Sequence, residues 1–103
     1  MVKMGKQTYK DEATGLTLFP QLTDRQLKLL RFIEIFVTKQ QMYPTQREIA
    51  DKFGYSQAAA GQYVMALVKK GYLARDPNFD RRNIRLTHLA IEKLNEEQMQ
   101  VEL

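Results

Sequence analysis

The side chains best suited to hydrogen-bonding chemistry lie in an uncharged segment, residues 53–64, with the sequence FGYSQAAAGQYV. Within it, Gln57 and Gln62 carry amides, and small Ala and Gly residues separate them. A glutamine amide can form the paired hydrogen bonds that adenine offers, whereas an alanine methyl can lie against the methyl group of thymine. The segment is therefore a candidate for reading base edges, provided that it faces outward.

Groups that usually carry catalysis or bind metals are scarce in this chain. It has no Cys and a single His, His88, so neither a zinc site nor a cysteine nucleophile can be assembled. The carboxylate pairs at residues 11–12 and 96–97 have no candidate nucleophile near them in sequence, and we interpret them as solvated charge. We expect no enzyme activity, no metal and no cofactor.

The first helix that could position the uncharged segment starts after Thr23, which forms a T-x-x-Q capping box with Gln26. A broad apolar face is predicted for this helix from Leu27, Leu30, Ile33, Ile35 and Val37.

A second helix is predicted from about Gln46 to Phe53. Pro44 breaks the preceding pattern, and Thr45 begins a T-x-x-E capping box that Glu48 closes.

The third helix contains most of the uncharged segment. Gly54 is suited to the left-handed conformation that ends a helix, and Ser56 can cap the next helix, which extends to about Lys70 before Gly71. The spacing predicts a buried stripe of Ala60, Tyr63, Val64 and Leu67. The residues predicted to face away from the core are Ser56, Gln57, Ala58, Gly61, Gln62 and Met65.

Two short strands, within residues 72–75 and 83–86, are predicted after the third helix, and the turn-forming segment DPNFDR joins them. Charged residues can pair across this hairpin: Arg75, Asp76, Asp80 and Arg85. Thr87 caps a last helix, whose apolar stripe is Ala90, Ile91 and Leu94.

The N-terminal residues 1–22 lack helical periodicity. A hairpin around Thr14-Gly15 and a flexible arm are both possible, and we favour an arm whose apolar end packs on the body through Leu16, Leu18 and Phe19.

The order of elements predicts a mainly α fold with a small β-hairpin, that is, a winged helix-turn-helix with a three-helix core, a two-stranded wing and a C-terminal helix. The predicted organisation is an arm at residues 1–22, a DNA-binding domain at 23–86, and a C-terminal helix at 87–103 that is a possible dimerisation element.

The net charge of +4 is unevenly distributed. Residues 1–86 hold 15 Lys and Arg against 8 Asp and Glu, whereas residues 87–103 hold one Lys against four Glu. Positive charge gathered in one part of a small domain indicates a polyanionic partner. No apolar run is long enough for a membrane helix, the N-terminus does not look like a secretory signal, and we expect a cytoplasmic protein.

The segment PTQREIADKFGYSQAAAGQYVMALVKKGYL resembles the N-terminal DNA-binding domain of LexA-type repressors, in which a P-T-x-x-E-I-A entry precedes the reading helix. The following ARDPNFDRRNIRLT is similar to the wing of MarR-type regulators, with their D-R-R-x-x-x-L-T signature at Asp80, Arg81, Arg82, Leu86 and Thr87. Both resemblances imply binding of double-stranded DNA.

The departures from these families carry their own implications. LexA-type repressors continue into a peptidase domain with a Ser-Lys pair and a cleavable Ala-Gly bond; these 103 residues hold neither, so self-cleavage is not expected. Aligned with the LexA-type reading helix, Ser56 and Ala59 match contacting residues, whereas Ala58, Gly61 and Gln62 replace an Asn and two Glu, so we expect a different operator.

Gly61 costs the third helix about 1 kcal/mol relative to Ala, so its presence needs a reason. A close backbone approach to DNA is one reason, and tight packing against another helix is the other.

The predicted base-reading residues are thus Ser56, Gln57, Ala58, Ala59, Gly61 and Gln62. Phosphate or minor-groove contacts are predicted for Tyr43, Thr45, Gln46, Arg47, Lys69, Lys70, Arg81 and Arg82.

The predicted function is a sequence-specific regulator of transcription, a repressor that acts by occupying its operator. Two half-sites imply a homodimer, for which the C-terminal helix supplies Ala90, Ile91, Leu94 and Val101. The alternative is a protein-interaction adaptor or anti-repressor built on the same winged-helix scaffold.

Overall fold

Four helices and two short antiparallel hairpins make up the part of the chain that the computed structural model describes, residues 9–10 and 17–102, with side chains for residues 19–98. The elements in chain order are β1 (Tyr9–Lys10), β2 (Thr17–Leu18), α1 (Asp24–Gln40), α2 (Gln46–Phe53), α3 (Gln57–Lys69), β3 (Leu73–Arg75), β4 (Ile84–Leu86) and α4 (His88–Glu102). This architecture confirms the predicted mainly α fold with a two-stranded wing, which is the hairpin β3–β4. Within the described residues, no helix has both the length and the apolar character needed to cross a membrane.

Both predicted capping boxes are present. The Thr23 hydroxyl accepts a hydrogen bond from the Gln26 amide N at 3.1 Å, and the Gln26 side chain accepts one from the Thr23 amide N at 3.0 Å. Thr45 and Glu48 repeat this exchange at 3.0 and 2.8 Å. Each box satisfies backbone donors that a helix start would otherwise leave unpaired, which contributes on the order of 1 kcal/mol and fixes where α1 and α2 begin.

The turn between α2 and α3 has the predicted chemistry. Gly54 takes a left-handed conformation with φ of +71°, and the following Tyr55 amide donates to the Ala50 carbonyl at 2.9 Å. The Ser56 hydroxyl accepts from the Ala59 amide at 3.0 Å, so α3 begins at Gln57. Because the chain reverses within these few residues, α2 and α3 pack directly on each other.

The core lies between α1, α2, α3, the wing and α4. Its most deeply buried side chains include Leu29, Leu30, Ile33, Ile49, Val64, Leu67, Tyr72, Leu73, Ile84 and Leu94. The predicted stripe of α3 is confirmed for Ala60, Val64 and Leu67, whereas Tyr63 is half-buried. The prediction for Ile35 is wrong, since its side chain is 51% exposed. Ile35 lies two positions from Ile33, about 200° around the helix and thus on the opposite face.

The C-terminal helix α4 belongs to this core. Ala90 is fully buried and Leu94 is 2% exposed, and α4 packs against α1 and β4. These two side chains are therefore not available for the predicted contact with a second copy. Ile91 is 43% exposed, and the side chain of Val101 lies outside the described residues.

Near the N-terminus, β1 pairs with β2 in antiparallel register, with Tyr9 opposite Leu18 and Lys10 opposite Thr17. This pairing corresponds to the hairpin alternative rather than to the favoured arm. Phe19 is partly buried against the core, as predicted, whereas Leu16 and the side chain of Leu18 lie outside the described residues.

Candidate nucleic-acid interface

The face of α3 that points away from the core is open to solvent, as the spacing predicted. We define this outer face by the exposed Ser56, Gln57, Ala58, Gln62 and Met65, together with the partly exposed Gly61. Met65 is 54% exposed, whereas Val64 beside it is fully buried. The outer face carries hydrogen-bonding amides and small apolar groups but no charge.

Gly61 leaves room for the side chain of Gln46, which belongs to α2. A Cβ atom at this position would lie 3.1 Å from Nε2 of Gln46, closer than ordinary van der Waals contact. The same Gln46 amide donates to the Gln57 carbonyl at 3.3 Å. The packing alternative thus has a concrete basis in Gln46, and a role for Gly61 in close approach to DNA stays a prediction.

Arg85 on β4 connects the wing to the loop that precedes α2. Its guanidinium lies between the rings of Tyr43 and Phe79, 4.7 Å from each ring centroid, and its Nη2 is 3.6 Å from a carboxylate oxygen of Asp76. Pairing across the hairpin is therefore confirmed for Asp76 and Arg85. These contacts join the wing tip to the loop between α1 and α2.

Arg82, a predicted DNA contact, makes an ion pair with α2. It donates to both carboxylate oxygens of Glu48, at 2.8 and 3.2 Å, and to the Tyr43 carbonyl at 3.0 Å. Its backbone takes the left-handed conformation, with φ of +52°. Two N–H groups of the Arg82 guanidinium are used by Glu48, so this side chain holds the wing on α2. The contact with DNA stays a prediction.

The hydrogen bonds from Arg82 lower the pKa of the Glu48 carboxyl below its ordinary value of 4.5. Because the pKa of Glu48 is lowered in the folded protein, the ion pair stabilises the fold at pH values above the ordinary pKa. This contribution is lost as the pH falls through the lowered pKa. We expect Glu48→Gln to lower the free energy of unfolding at pH 7 by at most about 1 kcal/mol, because both partners are about one third exposed.

Urea unfolding at pH 7 and pH 3 measures this effect. The difference between Glu48→Gln and the unmodified protein is expected to shrink at pH 3, because a protonated Glu48 resembles Gln: both lack the charge, and both keep an oxygen that accepts from the Thr45 amide. An equal difference at both pH values would contradict the assignment of the pair. Glu92→Gln, an exposed substitution on α4, is the control.

The other predicted phosphate contacts divide into two groups. Lys70 donates to the Gln21 carbonyl at 2.6 Å and to Oε1 of Gln26 at 2.9 Å, so it ties α3 to the start of α1. Thr45 is 7% exposed and uses its hydroxyl for the cap, while the Tyr43 ring holds Arg85. By contrast, the outer face of α3 is bordered by Gln46, Arg47, Lys69 and Arg81, which line the clefts beside it.

Two open clefts adjoin the outer face. The wing cleft, of about 430 Å³, lies between the wing and the starts of α2 and α3, and includes Arg47, Gln57, Asp80, Arg81 and Asn83 in its lining. The helix cleft, of about 570 Å³, runs along α3 and is lined by Ala58, Gly61, Gln62, Met65, Ala66 and Lys69. Gln46 and Arg75 line both clefts, so they separate one from the other.

Sequence reasoning placed Arg75 in cross-strand pairing and missed its position beside the outer face. Its guanidinium donates to Oδ1 of Asn83 at 3.0 Å and to Oε1 of Gln46 at 3.2 Å. Arg75 shares a strand face with Leu73, which is buried, so strand alternation did not indicate that Arg75 is exposed; its charge is the sequence signal for exposure. That signal could not show which neighbour the exposed side chain meets.

Five aromatic rings form a row that the sequence patterns did not reveal. Neighbouring centroids are 4.8 to 5.7 Å apart along Phe36, Phe32, Phe53, Tyr55 and Tyr63. The exposed Arg25 donates to the Tyr63 hydroxyl at 3.0 Å and adds a cation at the end of the row. Tyr63, at one end of the row, belongs to α3, so the row packs against that helix.

The sequence of this chain is similar to a family of known proteins. Residues 20–82, more than half of the chain, match the family model described as LexA DNA binding domain. The chain is similar to the LexA repressor of Thermotoga maritima, with 46% identity over 54 residues, 52% of this chain and 27% of the relative. It is also similar to the LexA repressor of Leptospira interrogans, with 40% identity over 60 residues, 58% of this chain and 30% of the relative.

A third similar protein is the LexA repressor of Mycolicibacterium paratuberculosis, with 41% identity over 63 residues, 60% of this chain and 27% of the relative. The matched segment thus spans less than one third of the length of each relative. These matches confirm the LexA-type resemblance, while the similarity of the wing to MarR-type regulators stays a prediction. From the family match and the winged helix-turn-helix architecture, the chain belongs to the LexA DNA binding domain family.

Proposed function

We propose that this protein is a sequence-specific, double-stranded DNA-binding regulator of transcription that represses by occupying its operator. The observation that carries the proposal is the solvent-open, uncharged outer face of α3, with Arg47, Arg81 and Lys69 on its borders. Membership of a DNA-binding domain family supports DNA as the partner, and the name LexA repressor of the similar proteins supports repression.

An α-helix with its side chains is about 10–12 Å across, close to the roughly 12 Å width of the major groove. With the outer face of α3 turned into that groove, the amides of Gln57 and Gln62 meet base edges, and the methyl group of Ala58 meets thymine. We therefore expect half-sites rich in A·T pairs. Ser56 holds the start of α3 through its cap, and its hydroxyl stays exposed beside the first bases.

The uncharged outer face cannot supply the phosphate attraction that dominates affinity for DNA. Arg47 at the start of α2, Lys69 near the end of α3 and Arg81 on the wing are exposed and supply it here. The amides in the first turn of α2 add a place for a phosphate. Two half-sites then require two copies of the chain on one operator.

Selection of bound fragments from a random DNA pool tests the proposal, followed by titration of the selected duplex between about 50 and 200 mM salt. The expected result is an A·T-rich motif whose affinity falls steeply with salt. Sedimentation of the complex counts the copies bound per duplex. No binding at the lowest salt would overturn the proposal and favour the protein-interaction alternative.

Replacing one base-reading amide is expected to change the motif rather than the overall affinity for DNA. In Gln62→Ala, the preference at one base pair of the half-site should weaken by roughly 5- to 150-fold, because one paired hydrogen bond is worth about 1–3 kcal/mol of discrimination. Repeating the selection with this variant measures the change. Gln98→Ala, the same substitution at an exposed site on α4, should select the original motif.

A further inference from the structure

Arg75 stands out among the arginines of the wing in how its guanidinium is held. Arg82 and Arg85 each pair with a carboxylate, Glu48 and Asp76 respectively. Arg75 instead donates to two neutral acceptors, Oε1 of Gln46 at 3.2 Å and Oδ1 of Asn83 at 3.0 Å. Neutral acceptors fix the orientation of a cation without cancelling its charge. Arg75 is therefore an exposed, oriented positive charge.

Gln46 is held in turn by α3. Its Nε2 donates to the Gln57 carbonyl at 3.3 Å, and this leaves Oε1 to accept from Arg75. The absence of a side chain at Gly61 gives the amide its space, since a Cβ there would be 3.1 Å from Nε2. The position of Arg75 relative to the outer face is thus set through Gln46.

The place of this charge matters because Arg75 and Gln46 line both the wing cleft and the helix cleft. In the proposed complex, α3 lies in the major groove and the wing lies over the neighbouring minor groove. The DNA backbone that separates these two grooves then passes between α3 and the wing. The wing cleft also carries Arg47 and Arg81, against the single carboxylate of Asp80 that faces the same space. Its charge balance suits a phosphodiester.

We infer that the sugar-phosphate backbone of one DNA strand lies in the space between α3 and the wing, where Arg75 binds a phosphate and Gln46 is the residue that positions Arg75. This inference rests on the proposed function and adds to it a contact that neither the outer face nor the wing tip provides. Arginine suits this role because two N–H groups that point the same way can bind two oxygens of one phosphate.

The first test compares Arg75→Ala with the unmodified protein on the selected duplex. Affinity is expected to fall about tenfold, and the slope of log K against log salt is expected to decrease by about 0.9, the value for one phosphate. Arg75→Lys should keep the salt slope but lose part of the affinity, because lysine keeps the charge and lacks the paired N–H groups of the guanidinium. Arg31→Ala on α1, which removes an arginine that lines neither cleft, is the matched control.

A duplex series with one uncharged methylphosphonate at each backbone position locates the contact. The unmodified protein is expected to bind about tenfold more weakly when one particular phosphate is replaced. Arg75→Ala is expected to show no further loss of affinity with the same replacement. The same series works on the unmodified protein even if a variant folds poorly. Circular dichroism and urea unfolding check each variant.

The positioning role of Gln46 is tested by combining variants. Gln46→Ala alone is expected to weaken binding by a few fold, and Gln46→Ala with Arg75→Ala should bind no more weakly than Arg75→Ala alone. A Gln46 that contacted DNA independently would make the two losses multiply, and this would overturn the positioning role.

The outcomes separate this inference from the proposed function. If the unmodified protein binds no DNA, both are overturned. If it binds, and Gln62→Ala changes the motif while Arg75→Ala keeps the original affinity and salt slope, only the inference about Arg75 is overturned.

Discussion

Ala58→Glu is expected to bind the selected DNA about 100-fold more weakly than the unmodified protein and yet to be at least as stable. Ala58 is the exposed second residue of α3. A carboxylate in the first turn of a helix is favourable by about 0.3–1 kcal/mol, since it complements the partial positive charge of the helix start. In the major groove the same carboxylate meets the field of the phosphates and replaces a methyl that suits thymine. Stability and binding should therefore change in opposite directions.

Fluorescence anisotropy with labelled duplex measures the affinity, and thermal unfolding measures the stability. Gln98→Glu is the matched control, because it changes the net charge by the same amount at an exposed site on α4. That control should lose little more than the small effect of net charge on association with a polyanion. Full affinity in Ala58→Glu would mean that the outer face does not enter the groove.

The features that the sequence predicted correctly depend on neighbours within a few residues of each other. The capping boxes at Thr23 and Thr45 and the turn at Gly54 are of this kind, because a helix end is decided by groups three or four positions apart. The two faces of α3 followed from its 3.6-residue period, which separates the exposed Gln62 from the buried Val64. Local signals therefore predicted α3 and the orientation of its two faces.

The partners of long polar side chains could not be predicted in the same way. Arg82 pairs with Glu48, Lys70 with Gln26 and Arg75 with Gln46, and the members of each pair are 29 to 44 residues apart in sequence. A sequence gives the chemistry of each group, whereas the fold decides which group it meets. For this reason the predicted phosphate contacts included Arg82 and Lys70, whose side chains hold elements of the fold together.

The C-terminal helix shows the same limit for apolar residues. Ala90 and Leu94 were recognised as part of an apolar stripe, but the surface that covers them was misassigned, because both pack into the core of the same chain; Ile91, the third predicted stripe residue, is 43% exposed. A periodic apolar face indicates only that something covers it. In a domain of this size, the elements of the domain itself are the first candidates for that cover.

Leu67→Ala is expected to lower the free energy of unfolding by about 2–5 kcal/mol while leaving the selected DNA motif unchanged. Leu67 is fully buried on the side of α3 that faces the core, so its removal leaves a cavity between α3 and the rest of the domain. Cavities are costly because the surrounding side chains relax only partly to fill them. The groups that we propose to read the bases lie on the opposite side of the same helix and are expected to keep their positions relative to one another.

Urea unfolding measures the stability loss of Leu67→Ala, and selection at low temperature, where the variant is still folded, measures its motif. Met65→Ala is the matched control on the same helix: its side chain is 54% exposed, and its truncation should change the free energy of unfolding by less than about 1 kcal/mol. A changed motif in Leu67→Ala would mean that core packing sets the register of α3 in the groove. The unchanged motif that we expect would assign stability to one face of the helix and recognition to the other.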